Sequence, residues 1–375
     1  MKELLKNIAV IGAGQGAPQG KENYCDEGIP FIKAGNLQEL IEGKNINFIQ
    51  KVSEGVVRKH KLKKYPKGTI LFAKSGMSCM KGYVYVLPQE ACVVSHLACI
   101  TPKLEVSDYL RYYFLFNKPN TLVKDVSYPS ISLQDIGELK INIKTDLERN
   151  KIVRTLKCIE NNISMRKNEL RKYDELIKAR FIEMFGSTHN SKTFVYYPLN
   201  EITTVCSGGT PNRDNKAYWE SGTIPWVKTT ELKNNRLTHV EEFITELGLE
   251  ESSAKLVPSD TVLIAMYGQG KTRGMTGYLE IEATTNQACA CILPTNKMNM
   301  IYLWKYFELS YDKLRELAKG GNQPNLNCTM IRDFKILVPP IELQNQYADF
   351  VQQVDKSRFD IKKSITELER EVVYD

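Results

Sequence analysis

Five blocks of this chain occur twice, in one order and at nearly one spacing, and nothing else in the sequence restricts the fold as strongly. Gly28–Leu37 (GIPFIKAGNL) matches Thr223–Leu232 (TIPWVKTTEL), and Lys67–Gly76 (KGTILFAKSG) matches Ser259–Gly268 (SDTVLIAMYG). Lys81–Leu87 (KGYVYVL) matches Thr276–Glu282 (TGYLEIE), and Tyr128–Ile143 matches Gln323–Val338. Ser95–Pro102 (SHLACITP) matches Asn286–Pro294 (NQACACILP) if one insertion is allowed. All offsets lie between about 190 and 196 residues, a register that chance similarity does not hold across five blocks. The chain is a tandem duplication, and its 375 residues are too many for one core.

Each copy divides again. Its first part has short β-branched runs bounded by glycine turns (GTILFAK and YVYVL, then TVLIAM and GYLEIE), which read as strands of a compact mixed domain. A short aromatic helix follows, DYLRYYFLF in one copy and IYLWKYFEL in the other. The second part is a long helix. Asp146–Phe185 contains no proline or glycine, and Ile152, Leu156, Ile159, Ile163, Leu170, Tyr173 and Ile177 recur in steps of four and three, with Arg166 the one polar residue in the seam. Gly186 follows as a C-terminal cap. The second copy carries Leu343, Tyr347, Phe350, Val354, Ile361, Ile365 and Leu368 after Pro339 and Pro340. A helix of about 35 residues is about 50 Å long and needs cover for its apolar stripe. The other copy's helix is the simplest partner, and folding back on its own domain is the alternative. The expected fold class is α+β: two pseudo-repeated mixed domains (1–145 and 187–340) joined by two long helices (146–186 and 341–375) that form an antiparallel coiled coil.

Two nucleotide motifs turn out to be decoys. Gly12, Gly14 and Ala17 fit the dinucleotide fingerprint G-x-G-x-x-A. The twin segment TVCSGGTPNR lacks that spacing, and Pro18 and Gly20 interrupt the helix that would receive a pyrophosphate. Ala265–Thr272 (AMYGQGKT) resembles a phosphate-binding loop, but the run after it, RGMTGYLEIE, reads as another glycine turn and strand rather than a helix. The nine cysteines form no C-x-x-C pair and read as small apolar residues of a reducing cytoplasm. No apolar run reaches the length of a membrane span.

Charge is unevenly spread. Residues 1–190 hold 30 Lys and Arg against 20 Asp and Glu, a balance of +10, and residues 191–375 hold 21 against 24, a balance of −3. An anionic partner fits that pattern. Val57–Lys67 (VRKHKLKKYPK) has seven basic or His residues in eleven, whereas its counterpart Glu246–Ser259 is acidic. Between two strands each copy also places a glycine-rich connection. It carries Lys74, Ser75 and Lys81 in one copy and Tyr267, Gln269, Lys271 and Arg273 in the other. Such groups reach phosphates and base edges; a solvated hairpin is the bland alternative.

The order domain, heptad helix, domain, heptad helix, together with ELIKARFIEMFG at the end of the first helix and P-P-x-E-x-Q at the start of the second, resembles the specificity subunit of a type I DNA restriction-modification system over essentially the whole chain. The first copy departs from that pattern, with KTDLERN where prolines and glutamine are expected. The resemblance implies two target recognition domains, each reading half of a bipartite, asymmetric DNA sequence for both methylation and restriction. It implies a helical spacer that docks two methyltransferase subunits. It places S-adenosylmethionine, ATP and Mg on partner subunits, including the motor-nuclease, and no cofactor, metal or catalytic residue on this chain. Lengthening either helix by about four residues, one helical turn, is then expected to widen the gap and leave both half-sites unchanged. Candidate DNA contacts, taken at matching loops, are Lys33 and Asn36 with Lys228 and Thr229; Lys74, Ser75 and Lys81 with Tyr267, Gln269, Lys271 and Arg273; Ser95 and His96 with Asn286 and Gln287; and Tyr128 and Ser130 with Gln323 and Asn325. Two other readings stay open from sequence: a protein-binding scaffold, and the recognition module of a type II-like methyltransferase or restriction enzyme.

Overall fold

The computed structural model describes residues 2–103, 106–188, 191, 193–268, 270–318 and 325–374. The chain divides into two units, Met1–Ser164 with Glu367–Asp375, and Met165–Thr366.

In the first unit, Ala9–Ala13, Leu97–Pro102, Ile70–Ala73 and Val84–Val86 form an antiparallel sheet in that order. A second sheet runs Lys51–Val52, Ile29–Ile32, Ala91–Val93, Lys64–Tyr65, and its central pair is parallel. The runs Ile70–Ala73 and Leu97–Ile100 are buried throughout, as expected of central strands covered on both faces. Lys2–Leu4 pairs with Lys140–Asn142, which ties the start of the domain to the segment entering the long helix. The aromatic helix Ser107–Phe116 packs Leu110 and Phe114 into the core.

The second unit repeats the arrangement. Val205–Ser207, Cys289–Ile292, Val262–Ala265, Thr276–Leu279 and Asn235–Leu237 make one sheet; Glu242–Ile244, Ile224–Val227 and Thr284–Thr285 make the other. Ile224–Val227 is parallel to Thr284–Thr285, as Ile29–Ile32 is to Ala91–Val93. Val195–Pro198 pairs with Lys335–Val338. The expected strands and both aromatic helices, the second at Met300–Leu309, are present.

The first long helix is continuous over Asp146–Phe185, 40 residues and therefore about 60 Å. Thr145 opens it with a capping box: the Glu148 carboxylate accepts from Thr145 N–H at 3.0 Å and from its hydroxyl at 2.8 Å. Gly186, at φ 77°, closes it, and its N–H donates to Ile182 O at 2.8 Å. The second spans Ile341–Tyr374. Within the first unit, the start of the first helix is held to the aromatic helix by Arg111, which forks onto Glu160 at 2.7 and 3.0 Å, and by Tyr112, whose hydroxyl donates to Glu160 at 2.8 Å.

Within the second unit the two helix segments pair antiparallel. The Tyr347 hydroxyl donates to Ile177 O at 3.3 Å, Tyr347 meets the rings of Phe181 and Phe185, and farther along Arg358 pairs with Asp174 at 2.9 Å. Leu156, Ile177, Tyr347, Val354, Ile361 and Ile365 of the stripe are buried. Ile152, Ile159, Ile163, Leu170, Tyr173, Leu343, Phe350 and Leu368 are half-buried. Arg166, the polar break, lies exposed and pairs with Glu169. The second helix also buries Gln344, Ala348 and Val351, a broader face than the heptad stripe alone. Gln344 accepts from Asn299 N–H at 3.0 Å and donates to Pro339 O at 2.7 Å, which is what the glutamine of P-P-x-E-x-Q does here.

Neither decoy motif has its nucleotide-binding context. Gly14 leaves its strand for a loop and the short 3-10 turn Lys21–Asn23, and Ala265–Thr272 leads into the strand Thr276–Leu279. Gly14 has a tertiary role instead. A Cβ there would lie 2.0 Å from Val93 O, and at Gly208, its twin, 2.1 Å from Thr285 O. Both glycines let two backbones cross at contact distance. Among the described residues no helix is long and apolar enough to cross a membrane.

Candidate nucleic-acid interface

In the first unit four segments meet at one end of the central sheet. Lys74 N–H donates to His96 O at 2.9 Å, and Ile131 N–H donates to Lys74 O at 2.8 Å. Gly76 N–H donates to Pro129 O at 3.0 Å, beside an antiparallel bridge between Ser75 and Ser130. The fourth segment crosses at Gly14 and Gln15: Gln15 N–H donates to Val93 O and Ser95 N–H to Gln15 O, both at 2.9 Å. The frame thus gathers Lys74, Ser75, Ser95, His96, Tyr128 and Ser130, which the sequence had placed only as separate loops. Ser75 Oγ and His96 Nδ1 lie 2.8 Å apart in a hydrogen bond whose direction the imidazole tautomer decides. His96 and Ser130 are exposed, and Tyr128 is 82 % exposed. Lys81 sits at the end of the turn Met77–Lys81, its ammonium 5.6 Å from the Tyr83 ring centre.

The second unit repeats three bonds of this frame. Met266 N–H donates to Ala288 O at 2.8 Å, Leu326 N–H to Met266 O at 3.0 Å, and Gly209 N–H to Thr285 O at 2.8 Å. Ala73 pairs with Leu97 as Ala265 pairs with Cys289, and Val94 N–H donates to Ile32 O as Asn286 N–H donates to Val227 O. These bonds correct the matching made from sequence. No insertion is present: Ser95 corresponds to Gln287 and His96 to Ala288, while Asn286 corresponds to Val94. Ser75 corresponds to Tyr267, and the counterpart of Lys74 is the buried Met266, so Lys271 and Arg273 lie beyond the shared frame. Lys271 is exposed, Arg273 is half-buried, and their carbonyls accept from Tyr311 and Arg315. Asn325 is exposed at the place of Ser130. Gln269 and Gln323 lie outside the described residues.

Four further candidates have local work. Asn36 Oδ1 accepts from Lys33 N–H at 2.9 Å, and Glu231 accepts from Lys228 N–H at 2.7 Å, so the partner of Asn36 is Glu231, with Thr229 only opening the short turn. Lys33 reaches Gln50 at 2.8 Å and lies 4.7 Å from the Tyr24 ring centre. Lys228 is bound by Glu241 at 2.7 Å and Glu242 at 2.9 Å, and these hydrogen bonds raise its pKa. Gln287 accepts from the Thr210 hydroxyl.

Charge separates the two sites. From Lys51 to Lys81 nine residues are basic and one, Glu54, is acidic. Arg58, Lys59, Lys61 and Lys63 are exposed and, among the described residues, have no carboxylate partner. Lys63 N–H donates to Gln15 Oε1 at 2.8 Å, so Gln15 joins this basic edge to the Ser95–His96 turn. Sequence reading missed Gln15 because it fell inside the decoy fingerprint. In the second unit, Arg213 is stacked 3.7 Å from the Trp219 ring centre and paired with Glu242, and Arg236 is paired with Glu280 and Asp355.

The fold and the sequence agree on a family. The profile of the type I restriction modification DNA specificity domain matches residues 4–172 and again 191–370. A type I restriction enzyme specificity subunit of Escherichia coli is 27 % identical over 215 residues, 56 % of this chain and 50 % of that protein. The chain therefore spans half the length of that relative. One from Methanocaldococcus jannaschii is 24 % identical across 98 % of this chain and 90 % of its own. Among solved structures, an S subunit of a type I restriction-modification system from M. genitalium matches 99 % of this chain and 93 % of its own length with a TM-score of 0.56 at 16 % identity. A chain from a structure on assembly and conformational transition of the type I system covers 100 % of this chain and 95 % of its own, with a TM-score of 0.58 at 16 % identity. The profile falls twice, once on each copy of the repeat, and the chain belongs to the family of type I restriction-modification DNA specificity domains.

Proposed function

We propose that this chain is the sequence-reading subunit of a type I restriction-modification complex. Each unit reads one half of a bipartite, asymmetric target, and methyltransferase and motor-nuclease subunits supply the chemistry with their own S-adenosylmethionine, ATP and Mg. The observation that carries the reading is the duplicated frame: one set of backbone hydrogen bonds presents Ser75, Ser95, His96 and Ser130 in one copy and Tyr267, Gln287, Ala288 and Asn325 in the other. A fixed backbone with exchanged side chains is what reading two different half-sites requires, because base edges are distinguished by donor and acceptor pattern. The basic edge Arg58–Lys63 supplies phosphate contacts that position without specifying. No catalytic residue is assigned to this chain. The test is to co-express the chain with its methyltransferase subunits and map methylated positions in host DNA. Replacing the second unit's set by that of the first (Tyr267→Ser, Gln287→Ser, Ala288→His, Asn325→Ser) should change one half-site and leave the other intact. An unchanged target, or loss of both halves together, would refute it.

A further inference from the structure

The first unit exposes a cluster of apolar side chains beside its polar frame, and solvent-exposed apolar clusters mark binding surfaces. Met77 is 71 % exposed, Tyr128 82 % and Val126 67 %. The Ser75–Ser130 bridge and the bond from Gly76 N–H to Pro129 O join the two segments, and Met77 and Tyr128 are the next residues of each beyond that junction. The turn that carries Met77 is anchored from beneath by Cys79, which is 2 % exposed, so the projection is held in place.

From this we infer that Met77 and Tyr128 read thymine in the half-site of the first unit, by covering C5-methyl groups in the major groove. The inference rests on the assignment of the frame as the DNA-reading edge. Two observations and one property of the bases favour duplex DNA as the occupant. The apolar pair is continuous with the hydrogen-bonding groups Ser75, His96 and Ser130. Lys74 and Lys81 flank the same turn, which suits a polyanion. The thymine methyl is the one apolar marker that a base edge presents, and it lies only in the major groove. At the position matching Met77 the other copy has Gln269 in its sequence, so the device belongs to one half-site.

The experiment uses the complex with its methyltransferase subunits and a duplex carrying the target found by methylation mapping. Each thymine of either strand is replaced by deoxyuridine, which removes only the methyl. Binding by the unaltered complex should weaken about four-fold for each covered methyl, at one or two positions of the first unit's half-site. The Met77→Gln and Tyr128→Gln variants should bind the thymine duplex more weakly and no longer distinguish it from the deoxyuridine duplex. Three results overturn the inference: deoxyuridine is neutral throughout that half-site, the variants lose as much on its introduction as the unaltered complex, or the half-site has no A·T pair. Failure of the Met77→Gln chain to join its methyltransferase also overturns it, and assigns the patch to a protein partner. Ser75→Ala and His96→Ala separate this inference from the assignment beneath it. If they relax the half-site while the Met77 and Tyr128 variants do not, only the inference falls; if none of the four has an effect, both fall.

Discussion

Alanine replacement along Gly12–Gly16 separates the tertiary role of this segment from a cofactor-binding role. A methyl at Gly14 would sit 2.0 Å from Val93 O and 2.4 Å from Val94 O, well inside contact distance, and both obstacles are backbone. Relief requires the crossing strands to part by about 1 Å, which no rotamer change can provide. The bonds at risk are Gly14 N–H to Leu97 O at 3.3 Å, Gln15 N–H to Val93 O at 2.9 Å and Ser95 N–H to Gln15 O at 2.9 Å. At about 1 kcal/mol net each, Gly14→Ala should cost about 3 kcal/mol. Gly12→Ala meets two side-chain ends, the Tyr65 hydroxyl at 3.4 Å and the Lys63 ammonium at 4.0 Å, and should be nearly neutral. Gly16→Ala meets nothing within 4 Å and should stabilise by about 0.5 kcal/mol through the unfolded chain. Urea unfolding of the three variants, followed by circular dichroism, gives the order. Methylation mapping adds a functional readout, because moving Ser95 and His96 should disable the first half-site alone, whereas Gly208→Ala should disable the second. A Gly14→Ala variant as stable as the parent, or a Gly12→Ala variant more damaged than it, would refute the crossing-backbone argument.

Three further outcomes rest on single contacts. Phe181 is fully buried against Phe185, Tyr302, Tyr306 and Tyr347, so Phe181→Ala should destabilise the second unit by about 3–5 kcal/mol, seen as a lowered urea midpoint. In the first helix, the Thr145 N–H and hydroxyl hold the Glu148 carboxyl below its ordinary value of 4.5. A depressed folded pKa gives stability that is present above that value and lost as pH falls through the folded one. The parent's urea midpoint should therefore fall toward that of Glu148→Gln below about pH 4.5, with the difference restored at neutral pH. Lys228 is committed to Glu241 and Glu242, so Lys228→Ala should leave the salt dependence of DNA binding unchanged, while Lys59→Ala and Lys61→Ala should each reduce the logarithmic slope by about one.

Much of this architecture could be read before any coordinates, because the repeat does what an alignment of relatives would do. It located two strands of one sheet in each copy, both aromatic helices and both long helices, since local hydrophobic period decides these. What escaped depends on contacts between distant segments. The matching of Ser95 and His96 to Asn286 and Gln287 rested on letter similarity, and only the pairing of Ala73 with Leu97 and of Ala265 with Cys289 fixes the true register. Lys33 and Lys228 match as loop lysines of the repeat, yet their neighbours differ: glutamine for one, two glutamates for the other. The start of the first long helix is the most instructive case. Its KTDLERN departs from the P-P-x-E-x-Q of the second helix, yet Arg149 donates to Lys144 O at 2.8 Å as Gln344 donates to Pro339 O at 2.7 Å. Two different side chains satisfy the same carbonyl before a helix. Divergence within the repeat therefore has two physical meanings. Where the side chain completes a backbone bond, as at Arg149 and Gln344, the change preserves structure. Where a neighbouring residue makes the backbone bond and the side chain is exposed, as Ile131 does beside Ser130 and Leu326 beside Asn325, the change is free to carry specificity.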